Sequence, residues 1–319
     1  MGLSDFEVFT EFTYTAATEV LRQQIDLFNA ATAGAIVLRA AANVGDYTDS
    51  TFYAKVADLV RRRNVYGSGA VTEKELSMLT ETSVKVAAGT PPVRVDPAWW
   101  TWIQRNPEEG GVIYGKQLAV DMMADMLNTA IMAGVAALSN VAAVTNDAST
   151  GTADFGDLLG GAAKFGDQSQ AIRVWIAHSK VMFDIWGTAL ANGASLFTFG
   201  TVNVRQDGFG RPIIITDSPA LVNVTPTPDV YRTLGLVSGG IMVEQNNDFD
   251  QNVETSNGSE NIKRTIQSEW TYNLSVKGFA WDKTSGGHSP NDAAIASAAN
   301  WDKISTSNKD LAGVMVLTQ

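Results

Sequence analysis

Two histidines stand in the sequence, His178 and His288, and nucleophile-and-base catalysis would have to use one of them. Ser179 follows His178 directly, but adjacent residues on a strand point to opposite faces, so the pair cannot meet without a break in the strand. His178 therefore reads as a polar or buried residue, and His288, in a Gly-Gly-His-Ser-Pro loop, reads as exposed. Asp121 and Asp125 lie four residues apart, a spacing that sets two carboxylates on one helix face for metal binding or acid/base work. No histidine or third acid lies near them in sequence. With Asn128 they read as a solvated stripe. Asp248, Asp250 and Asn252 match the opening of a calcium loop, yet Val253 stands where glycine is needed and Ser259 where glutamate is needed. That stretch reads as a mobile acidic loop. No nucleophile elbow, phosphate-binding loop, dinucleotide fingerprint or zinc spacing occurs. No cofactor and no metal is expected, although a two-carboxylate hydrolase carries no short signature and stays open as an alternative.

Binding residues are easier to nominate than reacting ones. Arg61, Arg62 and Arg63 form a basic cluster, read either as a solvated helix end or as a charge-complementary contact with a neighbouring subunit. Phe52 and Tyr53 precede them and are candidates for the same contact. Trp99, Trp100 and Trp102 offer either a binding platform or packing at a helix start, and packing is the reading taken. The 319 residues carry 23 basic and 34 acidic side chains, a net charge of -11 that argues against a dedicated nucleic-acid binder. There is no cysteine, so no disulfide framework or thiolate metal site can form. The acidic first residues lack the pattern of a secretory signal, and the apolar stretch from Leu118 to Val144 is interrupted by Asp121, Asp125 and Asn128, which argues against a membrane span. A cytoplasmic protein is the default expectation.

The elements that hold these residues can be read from periodicity. Ile172, Val174 and Ile176 alternate with Arg173, Trp175 and Ala177, a strand with one buried face. Ser179 is placed as the cap of a helix carrying Val181, Met182, Ile185, Trp186 and Ala189. After an Asn192-Gly193 break comes a hairpin, Val202 to Arg205 returning as Ile213 to Ile215, with its reversal at Asp207-Gly208. The longest helix is expected from Gly111 to Val144, about 50 Å at 1.5 Å per residue. Residues 1–45 read as an arm with one short helix after Thr18 and a small strand at Ala35 to Leu38. Residues 46–111 hold only short pieces: a helix from Phe52 to Arg63, a capped turn opening at Thr72 with Glu75, and a strand from Ser83 to Ala87. Ordering 66 residues costs on the order of 100 kcal/mol in backbone entropy, which such pieces cannot offset among themselves. The segment is therefore expected to lie on a neighbouring subunit. A loop with two prolines (224–229) follows, then alternating strands from Leu234 to Val243, kinked at Gly239-Gly240, and from Ile262 to Trp281. A helix capped by Ser289 and a closing strand end the chain.

Three stretches, WIAHSKVMFDIWG, GRPIIITDSP and the terminal SPNDAAIASAANWDK with SNKDLAGVMVLTQ, resemble the major capsid proteins of tailed double-stranded-DNA bacteriophages. The resemblance implies an α+β Hong Kong 97-type capsid fold: N-terminal arm 1–45, extended loop 46–111, spine helix 112–149 of the peripheral domain, axial domain 150–229, and the rest of the peripheral domain 230–319. It implies a structural subunit, not an enzyme, that self-assembles as hexamers and pentamers into an icosahedral head around packaged DNA. Expected partners are copies of itself, scaffolding, portal and decoration proteins, and DNA only by weak non-specific contact, with no membrane. Assembly is expected in the host cytoplasm and residence in the virion. A non-viral, encapsulin-like nanocompartment shell is the alternative with the same fold.

Overall fold

The computed structural model describes residues 3–41, 45–54, 56, 59–188, 195–199, 202–206, 210–225, 227–246, 248–257, 260 and 262–319. The expected Asn192-Gly193 break and Asp207-Gly208 reversal lie outside them. In chain order come α1 (Leu3–Ala31), β1 (Ile36–Ala41), β2 (Tyr47–Tyr53), β3 (Met78–Gly89), β4 (Val93–Arg94), α2 (Pro97–Arg105) and α3 (Pro107–Ser139). Next are β5 (Thr145–Asp147), α4 (Phe155–Ala163), β6 (Ile172–Ala177), α5 (Ser179–Thr188), β7 (Ser195–Phe199), β8 (Val202–Gln206), β9 (Pro212–Ile215) and β10 (Val222–Asn223). The last are β11 (Val230–Val237), β12 (Ile241–Asn246), β13 (Asp250–Ser256), β14 (Lys263–Val276), β15 (Phe279–Trp281), α6 (Asp292–Ile295), β16 (Trp301–Lys303) and β17 (Gly313–Thr318). Helices and sheets mix in an α+β arrangement.

Gly111 and Gly115 decide how the two long helices meet. A Cβ on Gly111 would sit 2.6 Å from the Phe9 carbonyl oxygen, and one on Gly115 would sit 2.4 Å from that of Thr13. On the α1 side Gly111 faces the backbone at Phe9 and Thr13 and the Cβ of Phe12, while Gly115 faces the small buried residues Thr13, Ala16 and Ala17. Backbones can approach this closely only where side chains are missing or minimal. The expected short helix after Thr18 is thus a 29-residue helix docked on α3. Its partner surface belongs to the same chain.

α3 packs against β12 and β14 of one sheet and β11 and β17 of another, so it bridges the two. By length and hydropathy it could cross a membrane, but 72% of its most apolar window is buried inside the protein. The first sheet runs β1-β12-β14-β3-β2, with β13 and β4 also pairing β14. The second runs β5-β17-β11-β6-β9-β8-β7, with β10 pairing β11. Gly239, at φ 64°, lets the chain leave β11 in one sheet and start β12 in the other. The expected kink is a change of sheet. The division expected at 229/230 falls between β10 and β11, which pair with each other, so the second sheet runs across it.

Several local expectations are corrected. β6 sits between β11 and β9, and only Arg173 of its six residues is exposed, so both faces are buried. Ser179 is the first residue of α5, and the His178 ring takes the cap position, its Nδ1 accepting from Lys180 N at 3.2 Å. α6 is capped by Asn291, whose side chain accepts from Ala294 N at 2.9 Å. Ser289 cannot cap it, because its φ of 57° lies outside the extended region a cap requires. Residues 250–256 are strand β13 in register with β14, not a mobile loop. The hairpin expected from β8 to β9 is present, with Asn203 opposite Ile215 and Gln206 opposite Pro212.

One edge of the first sheet is closed by side chains. β1 pairs β12 on one side only, and on its other side Asn29 Nδ2 donates to Leu38 O at 2.8 Å while Leu38 N donates to Asn29 Oδ1 at 2.9 Å. Thr32 Oγ1 donates to Ile36 O at 3.0 Å.

Candidate functional site

β2 and β3 form an antiparallel hairpin from Tyr47 opposite Val84 out to Tyr53 opposite Met78. The inner half of β3, Val84 to Gly89, pairs with β14. One strand therefore serves the body with one end and carries the hairpin on the other. A polar clamp fixes the base: Asp49 accepts from Lys283 Nζ at 2.7 Å and Thr82 Oγ1 at 2.8 Å. Lys283 also lies over the Tyr47 ring, 5.3 Å from its centroid. The Lys283 hydrogen bond, helped by Thr82, holds the Asp49 carboxyl below the usual carboxylate range.

Beyond one further backbone bond, Ala54 N to Ser77 O at 2.9 Å, the chain makes no helix or strand from 59 to 77, and every side chain there is exposed. The helix expected over Phe52–Arg63 and the turn at Thr72 are absent: Phe52 and Tyr53 end β2, and the arginines lie in the open loop. A short amphipathic helix without a surface to cover does not repay its nucleation cost. The exposure includes large apolar groups, with Val60 at 92% and Tyr66 at 96%. Leu59, Val65 and Leu76 are also exposed. Burying each such side chain is worth about 1.5–3 kcal/mol. Of the candidate contact residues, Tyr53 is far more open than Phe52, and Arg61, Arg62 and Arg63 are exposed.

At the opposite end of β3 lies a groove of about 540 Å³ between that strand end, α3 and the start of α6. Leu118 and Trp270 contribute to its apolar lining, and Asp121, Asp125 and Asp292 are its acids. Asp125 is less free than a solvated stripe would make it. The Tyr272 hydroxyl donates to its Oδ2 at 3.0 Å and also lies 3.0 Å from Thr129 Oγ1. Desolvation by the surrounding chain pushes the Asp125 carboxyl up, against the pull of the Tyr272 hydrogen bond, and Asp292 adds to the rise. Burial and the Asp125 charge push the Tyr272 hydroxyl up as well. A second groove of about 410 Å³ continues past Thr90, Pro91 and Asp121 to Trp99. Trp102 packs on the cluster of Phe9, Val95, Ile103 and Ile266, as packing at a helix start requires, while Trp99 stays 37% exposed at the groove. The Trp100 side chain lies outside the described residues.

Asp121 and Asp125 share the groove, but the histidines and the residues of the calcium-loop opening are not brought to it. His178 Nδ1 is engaged by Lys180 N, and its Nε2 lies 3.7 Å from Asp217 Oδ1. Asp248 accepts from Thr271 N at 3.0 Å and from the Thr271 hydroxyl, while Asp250 and Asn252 lie in β13. Among the described residues no group of three or more His, Cys, Asp or Glu side chains is placed to hold a metal. Sequence reasoning missed the Asp49–Lys283 clamp, whose partners are 234 residues apart. It also missed the groove, assembled from four separate stretches; no local pattern announces either.

The described body buries its core around two sheets and leaves an apolar and basic extension, residues 59–77, exposed. The chain belongs to the Gp13-like family of major capsid proteins, whose family model matches residues 5–315. It is a structural component of a capsid and not an enzyme. Solved structures similar to it include the capsid of Ralstonia phage GP4 (9% identity, 89% of this chain and 87% of that one, TM-score 0.49). Another is an acidic stable capsid structure of Helicobacter pylori bacteriophage KHP30 (9% identity, 89% and 86%, TM-score 0.49). A third is from Mycobacterium phage Adephagia (13% identity, 91% and 90%, TM-score 0.46). Comparison with curated proteins gives no significant match.

Proposed function

We propose that this major capsid protein tiles the icosahedral head of a tailed bacteriophage as hexamers and pentamers around packaged double-stranded DNA, in the Hong Kong 97-type manner. On this reading residues 1–45 are the arm, 46–111 the extended loop, 112–149 the spine segment of the peripheral domain, helical as far as Ser139, 150–229 the axial domain and 230–319 the rest of the peripheral domain. Strands β11 and β17 extend the axial sheet. Phe52, Tyr53, Arg61, Arg62 and Arg63 contact a neighbouring copy. Portal, scaffolding and decoration proteins are the further partners, and assembly takes place in the host cytoplasm before residence in the virion. One observation carries the reading: residues 59–77 leave their large apolar side chains in solvent, uncovered by the described residues of their own chain.

The test is negative-stain microscopy of the purified full chain beside a variant with residues 59–76 replaced by a short Gly-Ser linker. Uniform closed particles are expected from the parent. The variant should keep its thermal unfolding temperature within a few degrees and form none. A linker variant that assembles like the parent defeats the reading.

A further inference from the structure

His178 stands at the head of α5, where the stretch WIAHSK turns from strand to helix. Its carbonyl accepts from Met182 N at 3.3 Å, the first bond of that helix, and its ring Nδ1 accepts from Lys180 N at 3.2 Å. The imidazole thus does here what serine, threonine, aspartate or asparagine does at most helix starts. Only a bare ring nitrogen can accept, so the neutral ring carries its proton on Nε2. Nε2 lies 3.7 Å from Asp217 Oδ1, and the ring rests against Tyr231 with centroids 5.1 Å apart. Thr216 N donates to Ala177 O at 3.1 Å, which holds the Asp217 stretch beside the histidine.

We propose that His178 is a proton-operated latch on α5: the neutral ring caps the helix, and the protonated ring lets go of the first turn and pairs with Asp217. A second proton can enter only at Nδ1, where it sets one N–H against the N–H of Lys180 and ends the cap bond. The charges around the ring then favour the change. The positive end of the α5 dipole repels an imidazolium, and so does Lys180, whose Nζ lies 5.7 Å from the centroid of the same Tyr231 ring. Asp184, one turn along α5, already pairs with Lys180. Asp217, largely exposed on the other side of the ring, attracts the new charge. Arg232, next to Tyr231 on β11, lies on the other face of that strand and donates to Ala220 O at 3.5 Å. Phe183 sits in the turn that is released and is 72% exposed, so protonation reshapes an apolar part of the surface.

Hydrogen exchange of the full chain, corrected for the intrinsic rate at each pH, tests the latch. Between about pH 7.5 and about pH 5 the first turn of α5 should lose about tenfold in protection, the size of one missing cap. His178→Asn, which caps without titrating, should keep its protection across the same range. Asp217→Asn should move the midpoint of the loss to lower pH, which a merely structural histidine would not do. A second measurement needs no change at His178: the chain has two histidines, so His288→Gln leaves one ring for heteronuclear NMR. That ring should carry its proton on Nε2 when neutral and on both nitrogens in acid. Protection that stays constant in the parent, an equal loss in His178→Asn, an unmoved midpoint in Asp217→Asn, or a neutral ring protonated on Nδ1 each overturns the latch. Whether copies assemble is read separately, so the capsid reading stands or falls on its own test.

Discussion

Asp49 and Lys283 show what one exposed ion pair can do when it sits at the root of a lever. Both side chains are nearly half exposed, so solvent screening limits the pair to about 0.5 kcal/mol. Its influence is positional, since it ties β2 to the loop after β15. The Asp49 carboxyl is held below its unfolded value, so the folded state binds this proton less tightly than the unfolded one. Its contribution is present above the ordinary carboxylate range and lost as pH falls through the lowered value. Lys283→Met should therefore cost a small part of the thermal stability at about pH 7, with the gap to the parent closing toward about pH 2. A gap that stays constant across a pH series of calorimetric scans would show that Lys283 acts through packing on Tyr47 instead.

Among the elements, the crossing of α1 and α3 is the most exacting. Gly115→Leu would drive a side chain into the Thr13 carbonyl, where even one Cβ has 2.4 Å. Overpacking of this kind costs about 1–3 kcal/mol. The expected outcome is a lower unfolding temperature and faster tryptic cleavage at Arg22, measured against the parent; unchanged proteolysis would mean the crossing adapts. The same crossing explains what periodicity could and could not convey. α3 announced itself through Leu118, Met122, Met126, Ile131 and Leu138, and β14 through Trp270, Tyr272, Leu274 and Val276, all buried. α1 is longer than its periodicity suggests because the middle of its buried face is Thr13, Ala16 and Ala17, small residues that hydropathy hardly registers, between Phe9 on one side and Leu21 and Phe28 on the other. β2, with the sequence YTDSTFY, is too polar to stand out and is a strand because β3 offers it a ladder. The loop residues Arg61–Arg63 are legible as a cluster, whereas the groove acids Asp121, Asp125 and Asp292 are drawn together only by the tertiary structure.

At the scale of the whole molecule, the acid excess governs how a subunit meets a polyanion. Few phosphates can be neutralised by a chain of net charge -11, so isolated subunits should bind free duplex DNA weakly and without a steep salt dependence. Fluorescence anisotropy across a salt series checks this, and tight binding that collapses with added salt would show a concentrated basic surface at work. A capsid subunit also has to be made in quantity and remain discrete until it meets the right neighbour. Sheet margins are where crowded chains zip into fibrils, by donating and accepting backbone bonds without regard to partner. At β1 the carboxamide of Asn29 already occupies both bonding groups of Leu38, as a stranger's strand would, and Thr32 occupies the carbonyl of Ile36. That flank of the molecule is thereby protected from amyloid-like stacking.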